Sequence, residues 1–347
     1  MTTFFLNRLA AEPRALAFAG QSTPWPVALA DQTTDPSLDE ALRGHVAAAG
    51  RLLTPVAADL LATTGRPVDL FGFAPNPARL GAAADATASV EGVALTQLGA
   101  LLDLEHLGYS VAQAKPLAVL GHSQGVLAVH MTRAIEAAGS IEAAGTTLDE
   151  ILAVAALIGA AGTRRVRELG LNPKYGEASP MLSVKGATRA QVEALVARVN
   201  NARGPISIAV TNSDNHHVLS GYPEDLAAFA LEAEREHQHQ AKLREQKLHG
   251  GTVFNPTLEY LEVTLPFHSP LMADAVEQTV AWAGACGFDQ KRTRALAEEV
   301  LLNHVDWNAR VKALFDDADP SKLWIVDLGP GNTLGKLIGN VVQGTGI

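Results

Sequence analysis

The sequence predicts an α/β fold, and two features carry that expectation. Twice, an apolar run closing on glycine leads straight into a helical stretch: Pro116-Leu-Ala-Val-Leu-Gly-His-Ser-Gln-Gly125 before VLAVHMTRAIEAAG, and Trp324–Leu328 (WIVDL) before GPGN. Strand, sharp turn and helix in that order are the grammar of a helix-covered parallel sheet. Between the two lies a stretch with a different order, β-α-β-β-α-β, which is the ferredoxin-like pattern. It sits as an insert between two parts of a larger α/β unit.

Taken in chain order, Ala15–Ala19 (ALAFA) is an apolar strand broken by Gly20 and Pro24. Alanine-rich helices are expected over Leu38–Leu61 and Ser89–Leu107, with a Gly- and Pro-bearing loop over Thr64–Ala84. A further helix is expected over Leu148–Leu169. After Pro180, Met181–Gly186 alternates like a strand, and Arg189–Val199 is amphipathic at helical spacing. Ile206–Thr211 and His217–Ser220 read as paired strands, Glu224–Glu236 as a helix and Leu261–Leu265 as a strand. His237–Gly251 is polar and partly basic, and reads as a solvated excursion within the insert.

Composition sets outer limits. The 347 residues are 47% hydrophobic and 18% charged, enough apolar material for a large buried core. Aromatics are only 5%, so that core must be built from Ala, Val and Leu. A formal charge of −10 argues against nucleic acid as a partner, because neutralising phosphates needs a basic face. The single cysteine, Cys286, excludes a disulfide framework and a multi-thiolate metal site. No apolar run approaches the length of a membrane span, and the first residues lack the pattern of a secretory signal. The expectation is a cytoplasmic protein with no membrane partner.

The sharpest chemical signal is Gly121-His122-Ser123-Gln124-Gly125. In a G-x-S-x-G elbow the glycines let the chain turn tightly, so the serine Oγ stands exposed at a strand end. The N-terminal amides of the following helix can then stabilise an oxyanion. A nucleophilic serine needs a base, and eleven histidines compete. His268, pinned between Pro266 and Pro270, is the strongest candidate. His122 adjoins the serine and reads as a buttress of the turn. His216 and His217 fall in a turn near the site, without a clear role. His237, His239 and His249 read as solvated residues rather than a metal cluster, and no metal is expected. A third, acidic member is not evident. Asp327 follows the histidine in the chain and is explained equally by helix capping, so a backbone carbonyl is left as an alternative orienting group. Gly329-Pro-Gly331 lacks the residues of a P-loop or a dinucleotide fingerprint and reads as a turn. Arg164, Arg165 and Arg167 read as a solvated helix end or, alternatively, as a contact for an anionic cosubstrate's phosphates. Lys242, Arg244 and Lys247 read as a solvated face or a local basic patch for an acidic partner.

FAGQS at 18–22, GHSQG at 121–125, TNSDNHHVLSG at 211–221, PFHSP at 266–270, NHVDW at 303–307 and DLGPG at 327–331 occur together. This set resembles the acyl-CoA:acyl-carrier-protein transacylase family over nearly the whole chain. Within the family, GHSQG, the long helix after it and LIGAAGTR at 157–164 are most similar to the acetyl transferase domain of a type I fatty acid synthase of the large actinobacterial kind. The resemblance implies an α/β-hydrolase-like subdomain over 1–179 and 265–347, with a ferredoxin-like subdomain over 180–264. It implies that Ser123 is acylated, that His268 is its general base, and that the backbone N–H groups of Gln21 and Gln124 hold the oxyanion. Asn212 matches a family asparagine lining the site, and a backbone carbonyl near Val300 would orient the histidine. Phe267 and His122 complete the expected pocket with Ile158. No cofactor is bound permanently: acetyl-CoA is a substrate, and the acceptor is the phosphopantetheine of an acyl carrier protein domain within the synthase.

One departure bears on the substrate. Malonyl-transferring relatives place an arginine immediately before a glycine on the helix after the elbow, whereas here Ile158 precedes Gly159. An isoleucine cannot satisfy a carboxylate, and burying that anion unpaired is costly. Acetyl is therefore expected over malonyl. The rival readings are a malonyl or long-chain acyl transferase of the same family, a serine hydrolase or thioesterase that needs no thiol acceptor, and a non-catalytic scaffold.

Overall fold

A computed structural model describes residues 14–65, 85–171, 178–199, 204–247, 253–316 and 322–345. Of the loop expected over Thr64–Ala84, residues 66–84 lie outside the described residues, as does His249. The first sheet is parallel and three-stranded, in the order β2-β1-β8, from β1 (Arg14–Phe18), β2 (Ala118–Gly121) and β8 (Trp324–Asp327). Phe18 pairs with Gly121 and Ala17 with Asp327, so the carboxyl ends of all three strands stop at one edge. The loops that leave there carry FAGQS, GHSQG and DLGPG, and the carboxyl edge of an open parallel sheet is where such folds form their sites.

Helices α1 (Trp25–Gln32), α2 (Pro36–Leu52) and α3 (Ala57–Thr64) follow β1. The single helix expected over 38–61 is broken at Thr54-Pro55, where the proline ends the first helix. Next come α4 (Ala86–His106), a short α5 (Val111–Ala114) and, after β2 and the elbow, α6 (Val126–Ala138) and α7 (Ile141–Glu168). Helix α7 starts earlier than expected because the Ser140 side chain accepts from the Ala143 N–H and caps it. Small residues let these helices approach closely. A Cβ on Gly92 of α4 would meet the Trp25 ring at 2.5 Å, and one on Gly159 of α7 would meet the Ala86 carbonyl at 2.5 Å. Helix α7 has the length and hydropathy of a membrane span, but 67% of its most apolar window is buried inside the protein.

The second sheet has the order β6-β3-β5-β4-β7. Its strands β3 (Met181–Lys185), β4 (Ser207–Ser213), β5 (His216–Ser220) and β6 (Thr257–Tyr260) pair antiparallel. Helices α8 (Arg189–Arg198) and α9 (Pro223–Glu245) complete a β-α-β-β-α-β order. Leu182, Val184 and Leu219 pack with Val192, Leu195, Leu226 and Phe229 in a small core of their own, while Met181, Val210 and Val218 belong to the main core. Downstream lie α10 (Ala273–Ala285), α11 (Gln290–Leu301), β7 (Val305–Asp306), α12 (Trp307–Asp316) and, after β8, α13 (Thr333–Thr345). Strand β7 adds to β4 in parallel, so the chain after the insert returns to extend its sheet.

Within the insert two further expectations are corrected. The stretch 237–245 is solvent-facing as expected, but it continues helix α9 rather than forming an excursion. Gln238 and Gln240 donate to Glu234 and Glu236 one turn back, and His237 and Gln240 tie the helix to the backbone of Phe254. The last strand of the insert is Thr257–Tyr260 rather than 261–265. Leu261 makes a final bond to the Met181 carbonyl, and the chain then turns, Val263 N–H donating to the Leu261 carbonyl. The alternation at Leu261, Val263 and Leu265 records an irregular segment with one side against the core.

Glu91 on α4 is buried, and its Oε2 has no hydrogen-bond partner among the described residues. Desolvation pushes its carboxyl up to about 8. Between its unfolded value of 4.5 and about 8 the folded state keeps a proton that the unfolded state releases, so stability falls as pH rises through that window. The slope is at most about 1.4 kcal/mol per pH unit. Glu91→Gln should flatten this decline in urea titrations at stepped pH; an unchanged slope would contradict the assignment.

Candidate active site

Ser123 follows β2 at φ 52°, in the left-handed region that a side-chain-bearing residue rarely adopts. Its neighbours make that turn the one that fits. A Cβ on Gly125 would lie 2.2 Å from the Phe18 carbonyl oxygen, and one on Gly121 2.5 Å from the Val126 nitrogen. Neither glycine of the motif has room for a side chain. Across the gap, a Cβ on Gly20 would come within 2.9 Å of the Ser123 Cβ and 3.3 Å of the Gln124 nitrogen, so the loop after β1 rests directly on the elbow.

Ser123 Oγ and His268 Nε2 are 2.7 Å apart, and His268 Nδ1 is 2.8 Å from the Asn303 carbonyl oxygen. A carbonyl only accepts, so Nδ1 carries the proton and Nε2 of the neutral ring presents its lone pair to the serine hydroxyl. His268 is also left-handed, at φ 56°, and 2% exposed. Burial lowers its pKa to about 3, against the opposing effect of the Asn303 bond and with further lowering by His122, His304 and Arg310. The orienting carbonyl is thus that of Asn303, the first residue of NHVDW, and not one near Val300. Val300 is still inside α11, which ends at Leu301; the chain then turns, and Asn303 is the residue whose carbonyl faces the ring.

His122 Nε2 is 2.7 Å from Asn212 Oδ1, and its ring stands edge-on to Trp307 at 5.2 Å. Asn212 is buried at the end of β4, with its amide nitrogen 3.5 Å from His216 Nε2, which is in turn 3.0 Å from Ser183 Oγ. His217 is buried beside it on β5. Phe267 is buried, its ring 6.4 Å from that of His268. Ile158 is wholly buried in the main core, on the second helix after the elbow because Gly139 and Ser140 interrupt the first. Gln124 is fully buried and Gln21 half-buried. Asp327 accepts from the Gly329 N–H and from the Leu334 and Gly335 amides, so it caps α13. Arg164, Arg165 and Arg167 are engaged by Glu168 and Gln278, by Asp274 and the Leu271 carbonyl, and by the Thr63 carbonyl. Among the described residues no group of three His, Cys, Asp or Glu is placed to hold a metal ion.

Three supports escaped sequence reasoning. Arg310 of α12 donates to the Gly121 carbonyl at 2.9 Å. Gln97 of α4 donates to the Ala19 carbonyl at 2.6 Å and the Gly329 carbonyl at 3.2 Å, and Ala19 N–H also reaches Gly329. The DLGPG turn therefore holds the loop after β1 in place. None of these has a local signature, because each reaches backbone far away in sequence.

Residues 180–260 match the sequence profile of the family described as the fatty acid synthase central AT domain. The chain is 26% identical over 265 residues to the fatty acid synthase beta subunit TOXC of Cochliobolus carbonum, covering 65% of this chain and 12% of that protein. It is 30% identical over 168 residues to fatty acid synthase 2 of Mycosarcoma maydis, covering 45% of this chain and 4% of that protein. The chain thus spans a small part of these much longer relatives. Among solved structures, the malonyl CoA-acyl carrier protein transacylase of Coxiella burnetii superposes with a TM-score of 0.62 at 18% identity, covering 96% of this chain and 92% of that one. A malonyl-transacylase in complex with a type II polyketide synthase carrier protein gives 0.65 at 16% identity, covering 95% and 93%. The chain has the α/β fold of these acyltransferases, and its relatives are fatty acid synthase proteins.

Because the buried imidazole stays neutral down to about pH 3, the rate of covalent labelling of Ser123 by a serine-directed fluorophosphonate should show no inflection near 6.5 between pH 8 and pH 5. A titration centred at the ordinary histidine value would contradict this environment for His268.

Proposed function

We propose that this chain is an acetyl transferase of fatty acid synthesis, moving acetyl from acetyl-CoA through acetyl-Ser123 to the phosphopantetheine thiol of an acyl carrier protein. The observation that carries the reading is the relay Ser123 Oγ to His268 Nε2, with His268 Nδ1 on the Asn303 carbonyl. Similarity to fatty acid synthase proteins and to the transacylase fold supports it. The chain is a domain of a type I synthase, most like the actinobacterial kind on GHSQG and LIGAAGTR, with the carrier and the other synthase domains as partners in the cytoplasm. Its subdomains, α/β-hydrolase-like over 1–179 and 265–347 and ferredoxin-like over 180–264, rest on the two hydrophobic cores and the strand order of the second sheet.

The chemistry is ping-pong acyl transfer. As Ser123 Oγ bonds to the thioester carbonyl carbon, its proton passes to His268 Nε2. The backbone N–H groups of Gln21 and Gln124 hold the tetrahedral oxyanion. The carbon–sulfur bond then breaks, and the departing CoA thiolate takes the proton from Nε2. The carrier thiol next gives its proton to Nε2 and attacks the acetyl-serine, and Ser123 leaves with the proton returned. The Asn303 carbonyl accepts from Nδ1 of the ring and holds its orientation as Nε2 gains and loses the proton. Ile158, with Asn212, Phe267 and His122, forms the acyl side of the site. The apolar side chain of Ile158 suits a methyl-terminated group, whereas a malonyl carboxylate buried against it would go unpaired.

Transfer of radiolabelled acetyl from acetyl-CoA to a phosphopantetheinylated carrier protein tests the reading. The wild-type chain should transfer and Ser123→Ala should not; turnover of simple esters with no acceptor thiol, and no transfer, would assign a hydrolase instead. Ile158→Arg should shift the ratio of malonyl to acetyl transfer upward by about tenfold or more, the scale of a single buried ion pair. An unchanged ratio would remove Ile158 from the specificity site.

A further inference from the structure

The two backbone N–H groups assigned to the oxyanion belong to separate loops, one after β1 and one at the elbow. Oxyanion stabilisation needs both donors within hydrogen-bond reach of one oxygen, and a misplacement of about half an ångström matters. The side chains of the same two residues are joined. Gln21 Nε2 donates to Gln124 Oε1, and Gln124 Nε2 donates to the Val90 carbonyl of α4 at 2.5 Å. Gln124 is fully buried, where an apolar side chain would fill the space without needing partners. Its amide uses both of its ends: one on the helix behind the elbow, the other on the facing loop.

We infer that the Gln21–Gln124 side-chain clasp, anchored on the Val90 carbonyl, sets the spacing of the oxyanion hole, making these side chains positioning groups for the reaction proposed above. Gly20 lets the two loops meet, and Gln97 holds the far side of the β1 loop through Ala19 and Gly329. The clasp fixes the remaining freedom, the sideways slide of one loop against the other. The glutamine in GHSQG thereby gains a physical role: its backbone donates to the oxyanion while its side chain aligns the second donor.

The test uses a serine-directed fluorophosphonate, in which Ser123 Oγ displaces fluoride from phosphorus and the phosphoryl oxygen occupies the oxyanion hole. Its labelling rate reports the clasp without requiring acetyl-CoA. Gln21→Met and Gln124→Met should each slow labelling by about tenfold or more, part of the roughly hundredfold lost when a donor is removed outright. The double variant should be no slower than the slower single, because one contact is being removed twice. Acetyl transfer by the same variants should lose kcat with KM little changed. Gln124→Glu adds a readout that loss of packing would not produce. Its neutral carboxyl reproduces both bonds and its anion cannot donate to Val90, so labelling should approach wild type at low pH and fall as the buried acid ionises. Independent, multiplicative effects in the double variant, or wild-type rates in Gln21→Met, would overturn the inference. Gln21 is half-buried, so Gln21→Met remains informative should Gln124→Met fail to fold. A wild-type chain that labels with the probe yet transfers no acetyl would refute the proposed function and leave the clasp testable.

Discussion

Ser123 is held in a left-handed backbone at the end of an extended strand, and the surrounding structure exists to keep it there. A residue with a side chain in that conformation costs about 1–3 kcal/mol and persists only where its surroundings over-determine it. Here they do: two glycines admit no side chain, the Phe18 carbonyl lies against the second of them, and Arg310 fixes the carbonyl of the first. The parallel pairing of β1 with β2 and β8 then places the GQS and GPG loops beside the turn. His268 adopts the same unusual backbone region, so both partners of the 2.7 Å contact sit on strained turns delivered by different parts of the chain.

Burial supplies the electrostatics that this geometry uses. His268 is buried and its ring is kept neutral, with the Nε2 lone pair facing the Ser123 hydroxyl. Its orientation comes from a carbonyl rather than a carboxylate, which spares the site a buried charge.

Much of the fold was legible because the signals were local. The strand–turn–helix grammar at 116–138 and 324–345 and the β-α-β-β-α-β order arise from periodicity and glycine placement, and the structure carries those elements. The corrections fell where periodicity misleads. Residues 237–245 are polar enough to read as loop, yet Gln, Ala, Lys, Leu and Arg are good helix formers and the segment gains partners from Phe254. Leu261, Val263 and Leu265 alternate because one side of an irregular segment meets the core. In the site, the elbow serine and the proline-flanked histidine declared themselves by motif, and the structure brings them together. The orienting carbonyl of Asn303, the Arg310 brace and the Gln97 bridge depend on backbone atoms remote in sequence, and no residue type marks them.

The most direct test of the account is the mass of the intact protein after brief mixing with acetyl-CoA and, separately, malonyl-CoA, with the adduct mapped by peptide digestion. The expected result is a single acetyl group on the peptide containing Ser123 and little malonyl there. An adduct on another residue, or preferential malonyl loading, would contradict it.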